Sequence, residues 1–431
     1  MVEKFQIARV KLWDKQVGAL AFDKDKGLGT FEYTRSWRDS GIQISPIRLP
    51  LGEGKYQFPD LNRDTYKGLP AAFADTLPDD FGNAVIDAWL ASQGRDPDSF
   101  TAVERLLYMG RRGMGALEYS PEPKVRPKKV GELQLDRLAD MAQRVIDGRG
   151  KLQVEAEGNG LEALFQVGTS AGGARAKAVV AVNKTRTKVR SGQVACPAGY
   201  EHYLLKFDGI VDSNRSHQTF GDPQGYGRME YAYYQMAREV GINISHSELL
   251  SEGERAHFLT KRFDRDGNKK IHYQSLCAMD HADYKKPGHY SYEQLFGVLR
   301  SLRLDRRSAL ELYRRMVFNI VARNQDDHTK NFGFILRETG SWELAPAFDL
   351  AYSYRQDSKW VNSHQLTLNG KRDEFKQADL LQPAERFKRE AKQIIEQITD
   401  TVADWPRYAR EAGLPTELSN EIRAHHRLNL K

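Results

Sequence analysis

The segment that most constrains the fold is NQDDHTKN, residues 324–331, because polar and charged residues there separate two apolar runs. Apolar residues occupy positions 316–318 and 320–321 before it, and FGFIL follows it at 332–336. Buried polar groups are unfavourable unless they are paired. The segment must therefore be either a solvated loop or a functional site, placed between two elements that belong to a packed core.

Length and composition indicate a globular protein with more than one core. The chain has 431 residues, which is more than one compact core normally holds, so we expect two or three domains. Hydrophobic residues make up 40% and charged residues 29% of the chain, which argues against disorder. A net charge of +7 fits a phosphate-bearing ligand or an acidic partner. The positive charge is spread along the chain, so by itself it does not indicate nucleic-acid binding.

Cysteine usage and hydropathy predict a cytoplasmic location. Cys196 and Cys277 are the two cysteines, and neither lies in a CxxC motif, so we expect no thiolate zinc site and a reducing compartment. The opening residues MVEKFQIARVKLWDK are interrupted by charges and show no secretory signal. No apolar run approaches the roughly 18 residues that a membrane helix needs.

The order of strand-like and helix-like segments predicts an α+β protein. Residues 5–58 read as short strands separated by glycine and proline, as in a small antiparallel sheet. The proline-rich and basic stretch at 120–131 is the best candidate for a linker. Strand-like and helical segments then mix up to about residue 265, and the chain is mostly helical from residue 292 onward.

Three residues in the second half have the spacing of a phosphoryl-transfer site. Asp326 and Asn331 are five residues apart, as in the protein-kinase catalytic loop, where the aspartate accepts a proton and the asparagine holds a metal ion. Asp349, in PAFDLAYS, is a candidate for a second metal carboxylate, and Lys330 for offsetting charge on the γ-phosphoryl group. Each residue alone reads as a helix cap or a turn, but the three in this order favour a phosphotransferase.

A glycine pair upstream is a candidate phosphate loop. In GTSAGGARAK, Gly172 and Gly173 let the backbone approach phosphates, and Arg175 and Lys177 add positive charge. The pattern is neither GxGxxG nor a Walker A motif, and an ordinary turn explains it as well.

A strand lysine is the next candidate. Lys206 lies in HYLLKFD, which is similar to the kinase strand that presents a lysine to the α- and β-phosphates, although a surface lysine fits this pattern equally well. We expect Glu230 to be an ordinary acid near a helix N-terminus rather than the ion-pair partner of that lysine.

Two other classes of function also fit parts of the sequence. Asp326, Asp327 and His328 would be the metal ligands of a phosphohydrolase or nuclease, but the other histidines do not form HxH or HxxxH pairs. A nucleic-acid-binding module would use basic residues of a C-terminal helix. These residues are Arg386, Lys388, Arg389 and Lys392. Glutamates interleave with them, so a solvated helix face is the usual explanation.

The motifs together resemble a known family. SAGGARAKA, LLKFD, TKRFDR, NQDDHTKN and PAFDLAYS occur in the order found in the HipA family of bacterial serine/threonine kinases, the toxins of type II toxin–antitoxin modules. YKGLPAAFADTLPDDFGN and GRRGMGALEYSPE are similar to that family's N-terminal subdomain. The resemblance covers nearly the whole chain.

The resemblance implies a role for each matched residue. Asp326 would be the catalytic base, and Asn331 and Asp349 would bind Mg²⁺. The positions implied for nucleotide binding are Ser170, Gly172, Gly173, Ala174, Arg175, Lys177, Lys206, Lys261, Phe263, His328, Asn331 and Asp349. Ser170 matches the serine that the family autophosphorylates. Some relatives have an acid where this chain has Lys261, so we expect backbone groups to make the adenine contact there.

The resemblance also implies an architecture and partners. The expected fold is protein-kinase-like with two lobes, a β-rich N-lobe and an all-helical C-lobe, plus an extra N-terminal β-rich subdomain. The expected boundaries are 1–125, 126–265 and 266–431. ATP and Mg²⁺ are the implied cofactors, and a small helix-turn-helix antitoxin of the HipB type is the implied partner, with operator DNA bound chiefly through it. The implied substrate is a protein, an aminoacyl-tRNA synthetase, whose phosphorylation arrests growth and leads to persistence. The implied location is the cytoplasm, and no membrane partner is expected.

Overall fold

The fold is α+β, with an N-terminal region placed against two lobes. The computed structural model describes residues 5–121, 132–147, 159–168, 175–193, 195–210 and 224–430. We call residues 5–121 the N-terminal region, the described residues from 132 to 261 the N-lobe, and residues 265–430 the C-lobe. Within the described residues, no helix combines the length and apolar character that a membrane span requires.

The N-terminal region is an antiparallel sheet covered by short helices. Its elements are β1 (Phe5–Leu12), β2 (Lys15–Asp23), β3 (Leu28–Tyr33), α1 (Arg35–Arg38), β4 (Lys55–Tyr56), α2 (Arg63–Tyr66), α3 (Ala71–Ala74), α4 (Asp80–Ser92), α5 (Ala102–Met109) and β5 (Leu117–Ser120), with a 3₁₀ turn at Pro97–Ser99. The strand order is β4-β3-β2-β1-β5. Trp13 and Asp14 form the two-residue turn between β1 and β2, and both have positive φ, as the tightest hairpin turns require.

The N-lobe is a second five-stranded antiparallel sheet with three helices. Its elements are α6 (Leu135–Asp147), α7 (Asn159–Gly168), β6 (Lys177–Asn183), β7 (Val189–Ser191), β8 (Tyr200–Lys206), α8 (Tyr226–Glu239), β9 (Ser247–Glu252) and β10 (Arg255–Lys261). The strand order is β7-β6-β8-β10-β9. The register of β6 on β8 places Lys177 directly opposite Lys206. The predicted β-rich character of this lobe is confirmed.

The C-lobe is mainly helical. Its elements are β11 (Arg265–Asp266), β12 (Lys269–Lys270), β13 (His272–Ser275), α9 (Leu276–Met279), α10 (Tyr292–Ser301), α11 (Arg306–Val321), β14 (Gly333–Leu336), β15 (Trp342–Leu344), α12 (Gln377–Leu381), α13 (Lys388–Ala403), α14 (Trp405–Glu411) and α15 (Thr416–His425), with a 3₁₀ segment at Gln382–Phe387. The lobe also contains the sheet β13-β14-β15, which an all-helical description omits. Apolar runs of three or four residues are too short to be assigned to strands by periodicity.

Three large apolar cores hold the chain together, and each of them joins two regions. The first packs the C-lobe around α11 against α8 of the N-lobe, the second lies under the N-lobe sheet, and the third lies beneath the N-terminal sheet and includes Cys277 and Ala278 of the C-lobe. Helix α4 belongs to the N-terminal region, yet its buried side chains, among them Phe81 and Trp89, are part of the second core. The N-terminal region is therefore packed into the N-lobe rather than tethered beside it.

Candidate active site

The polar segment that the sequence singles out is a loop between α11 and β14. Asn324 closes the helix end, with its backbone and side-chain amides both 2.9 Å from oxygen acceptors of Asn319. The backbone N–H of Gln325 donates to the carbonyl of Ser353 (3.1 Å), and the N–H of Ser353 donates to the carbonyl of Arg323 (3.1 Å). These bonds fasten the loop to the segment that follows Asp349, so residues 28 to 30 positions apart in sequence lie side by side.

Asp327 anchors this loop from below. Its fully buried carboxylate accepts hydrogen bonds from the Tyr292 hydroxyl (2.6 Å), from Nδ1 of His364 (2.9 Å) and from the backbone N–H of Gln365 (2.7 Å). Burial acts to raise the pKa of Asp327, but His364 and the other donors outweigh it and hold the pKa below its ordinary range. Because these donors surround the carboxylate, the metal-ligand role that the phosphohydrolase interpretation gives to Asp327 is not favoured.

A metal-binding cluster of the hydrolase type is also missing from the described residues. In the described ranges, no group of three or more histidine, cysteine, aspartate or glutamate side chains is arranged to hold a metal ion. The hydrolase interpretation depends on such a cluster, since Asp326 and His328 alone offer too few ligands.

The C-terminal end of the chain supports Asp327 through His364. Nε2 of His364 lies 2.8 Å from the guanidinium of Arg427. Because arginine can only donate, Nε2 accepts and the proton of the imidazole is on Nδ1, facing Asp327. Arg427 also donates from its backbone N–H to the Val321 carbonyl (2.9 Å) and from its side chain to the Ile320 carbonyl (3.2 Å), at the end of α11.

Asp326 faces the opposite way, into the cleft between the lobes. Its side chain is 44% exposed, and Nε2 of His328 lies 3.8 Å from its Oδ1. The side-chain amide of Asn331 donates to the Asp326 carbonyl (2.8 Å), which orients the asparagine oxygen away from the backbone of the loop. Partial removal from water raises the pKa of the Asp326 carboxyl above its usual value. The structure thus places Asp326, His328 and Asn331 on one turn.

Lys206 joins the second metal candidate to the N-lobe. Its ammonium lies 2.5 Å from Oε1 of Glu230 and also contacts Oδ1 of Asp349. Burial acts to lower the pKa of Lys206, but the two carboxylates outweigh it and raise the pKa. Burial acts to raise the pKa of Asp349, and the charges of Lys206, Lys177 and Arg175 reverse this, so the carboxylate stays ionised. Asp349 has φ +57°, a left-handed conformation that is uncommon for a residue other than glycine.

The expectation for Glu230 is wrong. Glu230 is not a solvated acid near a helix start; it is buried on α8 and forms an ion pair with Lys206. The position of α8 is fixed by Asp208, a residue that the sequence reading missed. The Asp208 carboxylate accepts from the backbone N–H groups of Gly225 (3.0 Å) and Gly227 (3.3 Å), at the start of the helix. The available signal was the final acid of LLKFD, two residues after the strand lysine.

Lys177 and Arg175 extend the positive side of the cleft. Lys177 is 2% exposed, and its ammonium lies 3.4 Å from Oδ2 of Asp79 in the N-terminal region, another residue that the sequence reading missed. The guanidinium of Arg175 lies 5.7 Å from the ring centroid of Tyr226, and its charge acts on both Asp326 and Asp349. Ser170, Gly172, Gly173 and Ala174 lie outside the described residues.

The residues predicted to form the hinge lie at the end of β10 and just after it. The side chain of Lys261 is 44% exposed and forms an ion pair with Glu201 on the neighbouring strand. The ring of Phe263 stacks on Phe348 with centroids 5.7 Å apart, and Tyr273 packs against Phe263 at 5.5 Å. Since Phe348 precedes Asp349, these rings connect the predicted hinge with the turn that bears Asp349.

Lys330 lies on the side of the cleft that faces the N-terminal region. Its ammonium is 4.7 Å from the ring centroid of Tyr284. Burial acts to lower the pKa of Lys330, but the surrounding groups, including Tyr284, Asp75 and Asp79, outweigh it and raise the pKa. Lys330 is therefore a charged group held by an aromatic face and by two acids of the N-terminal region.

The residues on both sides of the cleft fit a magnesium ion together with a nucleotide. Mg²⁺ prefers oxygen ligands and is commonly held by one or two protein groups, with substrate phosphates and waters completing the shell. The ionised carboxylate of Asp349 and the amide oxygen of Asn331 supply ligands of this kind. The lysines and Arg175 supply the positive charge that phosphates require.

Comparisons with known proteins agree with this geometry. A family model described as the HipA-like C-terminal domain matches residues 169–405, and one described as the HipA N-terminal domain matches residues 8–120. Among curated relatives, the serine/threonine-protein kinase toxin HipA of Shewanella oneidensis is 22% identical over 377 residues, which cover 79% of this chain and 73% of that protein. A relative from Sinorhizobium fredii is 25% identical over 361 residues, covering 78% of this chain and 75% of that protein.

A solved structure shows the same fold. The Shewanella oneidensis complex of HipA, HipB and operator DNA matches with a TM-score of 0.64 and 18% identity, over 97% of this chain and 94% of the matched chain. The predicted two-lobed α+β fold is confirmed by this likeness. Since the HipA-like C-terminal model alone covers more than half of the residues, and the N-terminal model precedes it in the expected order, the chain belongs to the HipA family of kinases.

Proposed function

We propose that this kinase is an ATP- and Mg²⁺-dependent serine/threonine-protein kinase that acts as the toxin of a type II toxin–antitoxin module. The observation that carries the proposal is the bridge from Lys206 to both Glu230 and Asp349, beside the loop that bears Asp326 and Asn331. A lysine–glutamate pair, a metal aspartate and a catalytic-loop aspartate are the parts that protein kinases need for phosphoryl transfer.

The mechanism follows from the charges around the cleft. Lys206, fixed by Glu230, would orient the phosphates of ATP, and Asn331 and Asp349 would hold the metal ion. When bound, Mg²⁺ neutralises charge on the β- and γ-phosphates. Asp326 accepts the proton of the attacking serine or threonine hydroxyl. The oxygen of that hydroxyl forms a bond to the γ-phosphorus, and the bond between the γ-phosphorus and the β–γ bridging oxygen breaks. The exposure of Asp326 gives a protein substrate access to it.

The nucleotide seat uses the hinge and the glycine-rich loop. The Lys261 side chain is held by Glu201, so the backbone groups of Lys261 are the ones proposed to contact adenine. The ring of Phe263 is proposed to pack beside the adenine. His328 lies beside Asp326. The role proposed for Gly172, Gly173 and Ala174, from the family motif alone, is to bind the phosphates. The domain division at 1–125, 126–265 and 266–431 belongs to the same proposal.

Labelling with γ-labelled ATP tests the activity. Wild-type protein should transfer label to itself or to proteins of a cell extract, and Asp326→Asn and Asp349→Asn should each abolish transfer. Asp357→Asn, an exposed acid a short distance after Asp349, is the matched control and should transfer normally. Transfer that persists in both cleft variants contradicts the proposal. Phosphoester or nucleic-acid hydrolysis that needs metal but no ATP would favour the hydrolase interpretation.

Ser170 is proposed as the site of autophosphorylation and as an off switch. A phosphoserine adds roughly −1.5 to −2 charges at neutral pH. In a loop that covers ATP, this charge would repel the phosphates and be drawn to lysine and arginine side chains. Mass spectrometry should find phosphate on Ser170 in the wild type and none in Asp326→Asn. Ser170→Asp should weaken ATP binding and Ser170→Ala should preserve it; equal affinity for wild type and Ser170→Asp would exclude the switch.

The partners are proposed from the family. The matched HipA structure contains HipB and operator DNA, which supports a helix-turn-helix antitoxin of the HipB type as partner here, with operator DNA bound mainly through it. The proposed substrate is a cytoplasmic translation component such as an aminoacyl-tRNA synthetase. Phosphoproteomics after brief induction of wild type and of Asp326→Asn should show phosphosites that depend on Asp326. If none of these phosphosites lies in an aminoacyl-tRNA synthetase, this substrate class is excluded.

A further inference from the structure

Two lysines lie next to each other on the floor of the phosphate cleft. Lys177 begins β6 and Lys206 ends β8, and the antiparallel register pairs them directly. Both are buried; Lys206 contacts the Asp349 carboxylate, and Lys177 lies on the same face of the sheet because directly paired residues of neighbouring strands point to the same side. Two like charges opposite each other on neighbouring strands repel, so each needs an acid to hold it in place.

Each of the two lysines has an acidic partner, and the two acids come from different parts of the chain. Lys206 is held by Glu230, from α8 of the N-lobe. Lys177 faces Asp79, which comes from the N-terminal region and is itself fixed in position. Asp79 is the N-cap of α4: one carboxylate oxygen accepts the backbone N–H of Gly82 (2.5 Å), and the other, Oδ2, is buried and lies 3.4 Å from the Lys177 ammonium.

We propose that Asp79 is a positioning residue for ATP: it orients Lys177 toward the nucleotide phosphates as Glu230 orients Lys206, so that the N-terminal region supplies one of the two acids of the phosphate site. The inference rests on the proposed function, because it assigns the phosphates of ATP to this cleft. The environment of Asp79 supports the assignment. Burial raises the pKa of the Asp79 carboxyl to about 6. Among the groups that act to lower this pKa, the charge of Lys177 has the largest effect.

An isosteric substitution separates the charge of Asp79 from its capping role. Asparagine caps helices as well as aspartate does, so Asp79→Asn keeps the bond to Gly82 and removes only the charge facing Lys177. Asp80→Asn, an exposed acid one residue further on, is the matched control. The readouts are the affinity for a non-hydrolysable ATP analogue with Mg²⁺, the KM for ATP in the labelling reaction, and the melting temperature.

The expected result is a loss of affinity that depends on Lys177. A charge-assisted contact contributes on the order of a tenfold change in affinity, so Asp79→Asn and Lys177→Met should each weaken analogue binding and raise the KM for ATP by about that factor. The double variant should bind no more weakly than Lys177→Met alone, and Asp80→Asn should bind as the wild type does. A purely structural defect would lower the melting temperature and the amount of active enzyme, and would leave the KM for ATP unchanged.

Three results would overturn the inference. The first is wild-type affinity, or tighter binding, in Asp79→Asn, which would mean that Asp79 merely neutralises Lys177. The second is a further tenfold loss on adding Asp79→Asn to Lys177→Met. The third is a wild-type protein that does not bind the analogue at all. If the wild type binds the analogue but transfers no phosphate, the proposed kinase function fails, while the binding measurements on the four variants still decide the role of Asp79.

Discussion

Two neighbouring carboxylates have opposite roles in this protein. Asp326 is open to the cleft with His328 beside it, whereas Asp327 is buried and receives three hydrogen bonds. Adjacent residues of a loop point in different directions, so one can meet a substrate while the other fixes the loop. The pair explains why a dense polar segment lies between two apolar runs.

Asp327→Asn should destabilise the fold. The side-chain N–H₂ group of asparagine would face a hydrogen-bond donor, and the negative charge that accepts hydrogen bonds from Tyr292 and His364 would be lost. Breaking a buried charge-assisted network of this kind costs about 2–4 kcal/mol in the free energy of unfolding. Urea unfolding measures this loss, with Asp326→Asn, a change at the neighbouring half-buried acid, as the control. A change of less than about 0.5 kcal/mol, typical of a surface site, would show that Asp327 does not anchor the loop.

His272 should make stability sensitive to acid. Burial lowers its pKa to about 4, although the bond to the Ile44 carbonyl acts in the opposite direction. The unfolded chain takes up this proton near pH 6.5 and the folded chain only near pH 4. Stability is therefore complete above pH 6.5 and falls as the pH drops toward 4, by up to about 3 kcal/mol.

The variant His272→Gln tests this titration. Glutamine preserves a donor toward Ile44 but cannot be protonated, so unfolding free energies measured between pH 4 and 7 should vary less in the variant than in the wild type. His289→Gln, at an exposed position, should follow the wild-type curve. Parallel curves for wild type and His272→Gln would show that His272 does not titrate in this way.

At the scale of elements, α4 belongs to two regions at once. It is part of the N-terminal region by sequence, but Trp89 packs against Phe165 of α7, with ring centroids 4.7 Å apart, and against Tyr108 at 5.7 Å. Helix α7 leads toward the glycine-rich segment at 169–174. The packing of α4 therefore supports the helix from which the candidate phosphate loop continues.

Trp89→Ala should weaken this support. Removing a buried tryptophan costs about 3–5 kcal/mol, because the remaining side chains fill the cavity only in part. Urea denaturation should show the loss, and Gln93→Ala, an exposed change at the end of the same helix, should change stability by less than about 0.5 kcal/mol. A loss as small as that of the control would mean that α4 does not stabilise the N-lobe.

At the scale of the whole molecule, the N-terminal region contacts both lobes and the segment between them. Asp79 faces Lys177 of the N-lobe. The backbone N–H of Gly115 donates to the Asp264 carboxylate (2.7 Å), next to the hinge. Asp75 accepts from the backbone N–H (2.7 Å) and the hydroxyl (2.6 Å) of Ser275 in the C-lobe. The region therefore connects the two lobes from one side.

A protein shortened to begin at Gly131 should not fold as the full chain does. It loses the α4 side chains from the second core and leaves apolar groups of the N-lobe, including Phe165, without their cover. Size-exclusion chromatography should show aggregation, and thermal unfolding should show no cooperative transition near that of the full chain. A monomeric shortened protein of full stability would contradict the shared core.

The sequence allows the fold and the central residues to be predicted because their signals are local. Asp326, Asn331 and Asp349 keep a fixed spacing, and Lys206 lies on a recognisable strand. Ion pairs between distant segments have no such signal. Glu230 looks like an ordinary acid near a helix start, and its partner is decided by how α8 packs on the sheet.

The same limit applies to the residues that support the site from elsewhere in the chain. Asp79 lies 98 positions before Lys177, and Arg427 lies 63 positions after His364. Nothing in the local pattern of either residue distinguishes it from the many other acids and arginines of the chain. Their roles become visible only when the tertiary structure brings the partners together.

The left-handed backbone of Asp349 has a consequence for the choice of substitutions. At φ +57° a side chain meets the preceding carbonyl, and aspartate, asparagine and glycine tolerate this better than other residues do. Alanine or glutamate at this position would add conformational strain to the chemical change, so loss of activity in such a variant would have two causes. Asparagine retains the backbone geometry and removes only the charge, and natural variation at position 349 among catalytically inactive relatives should accordingly favour asparagine and glycine over alanine.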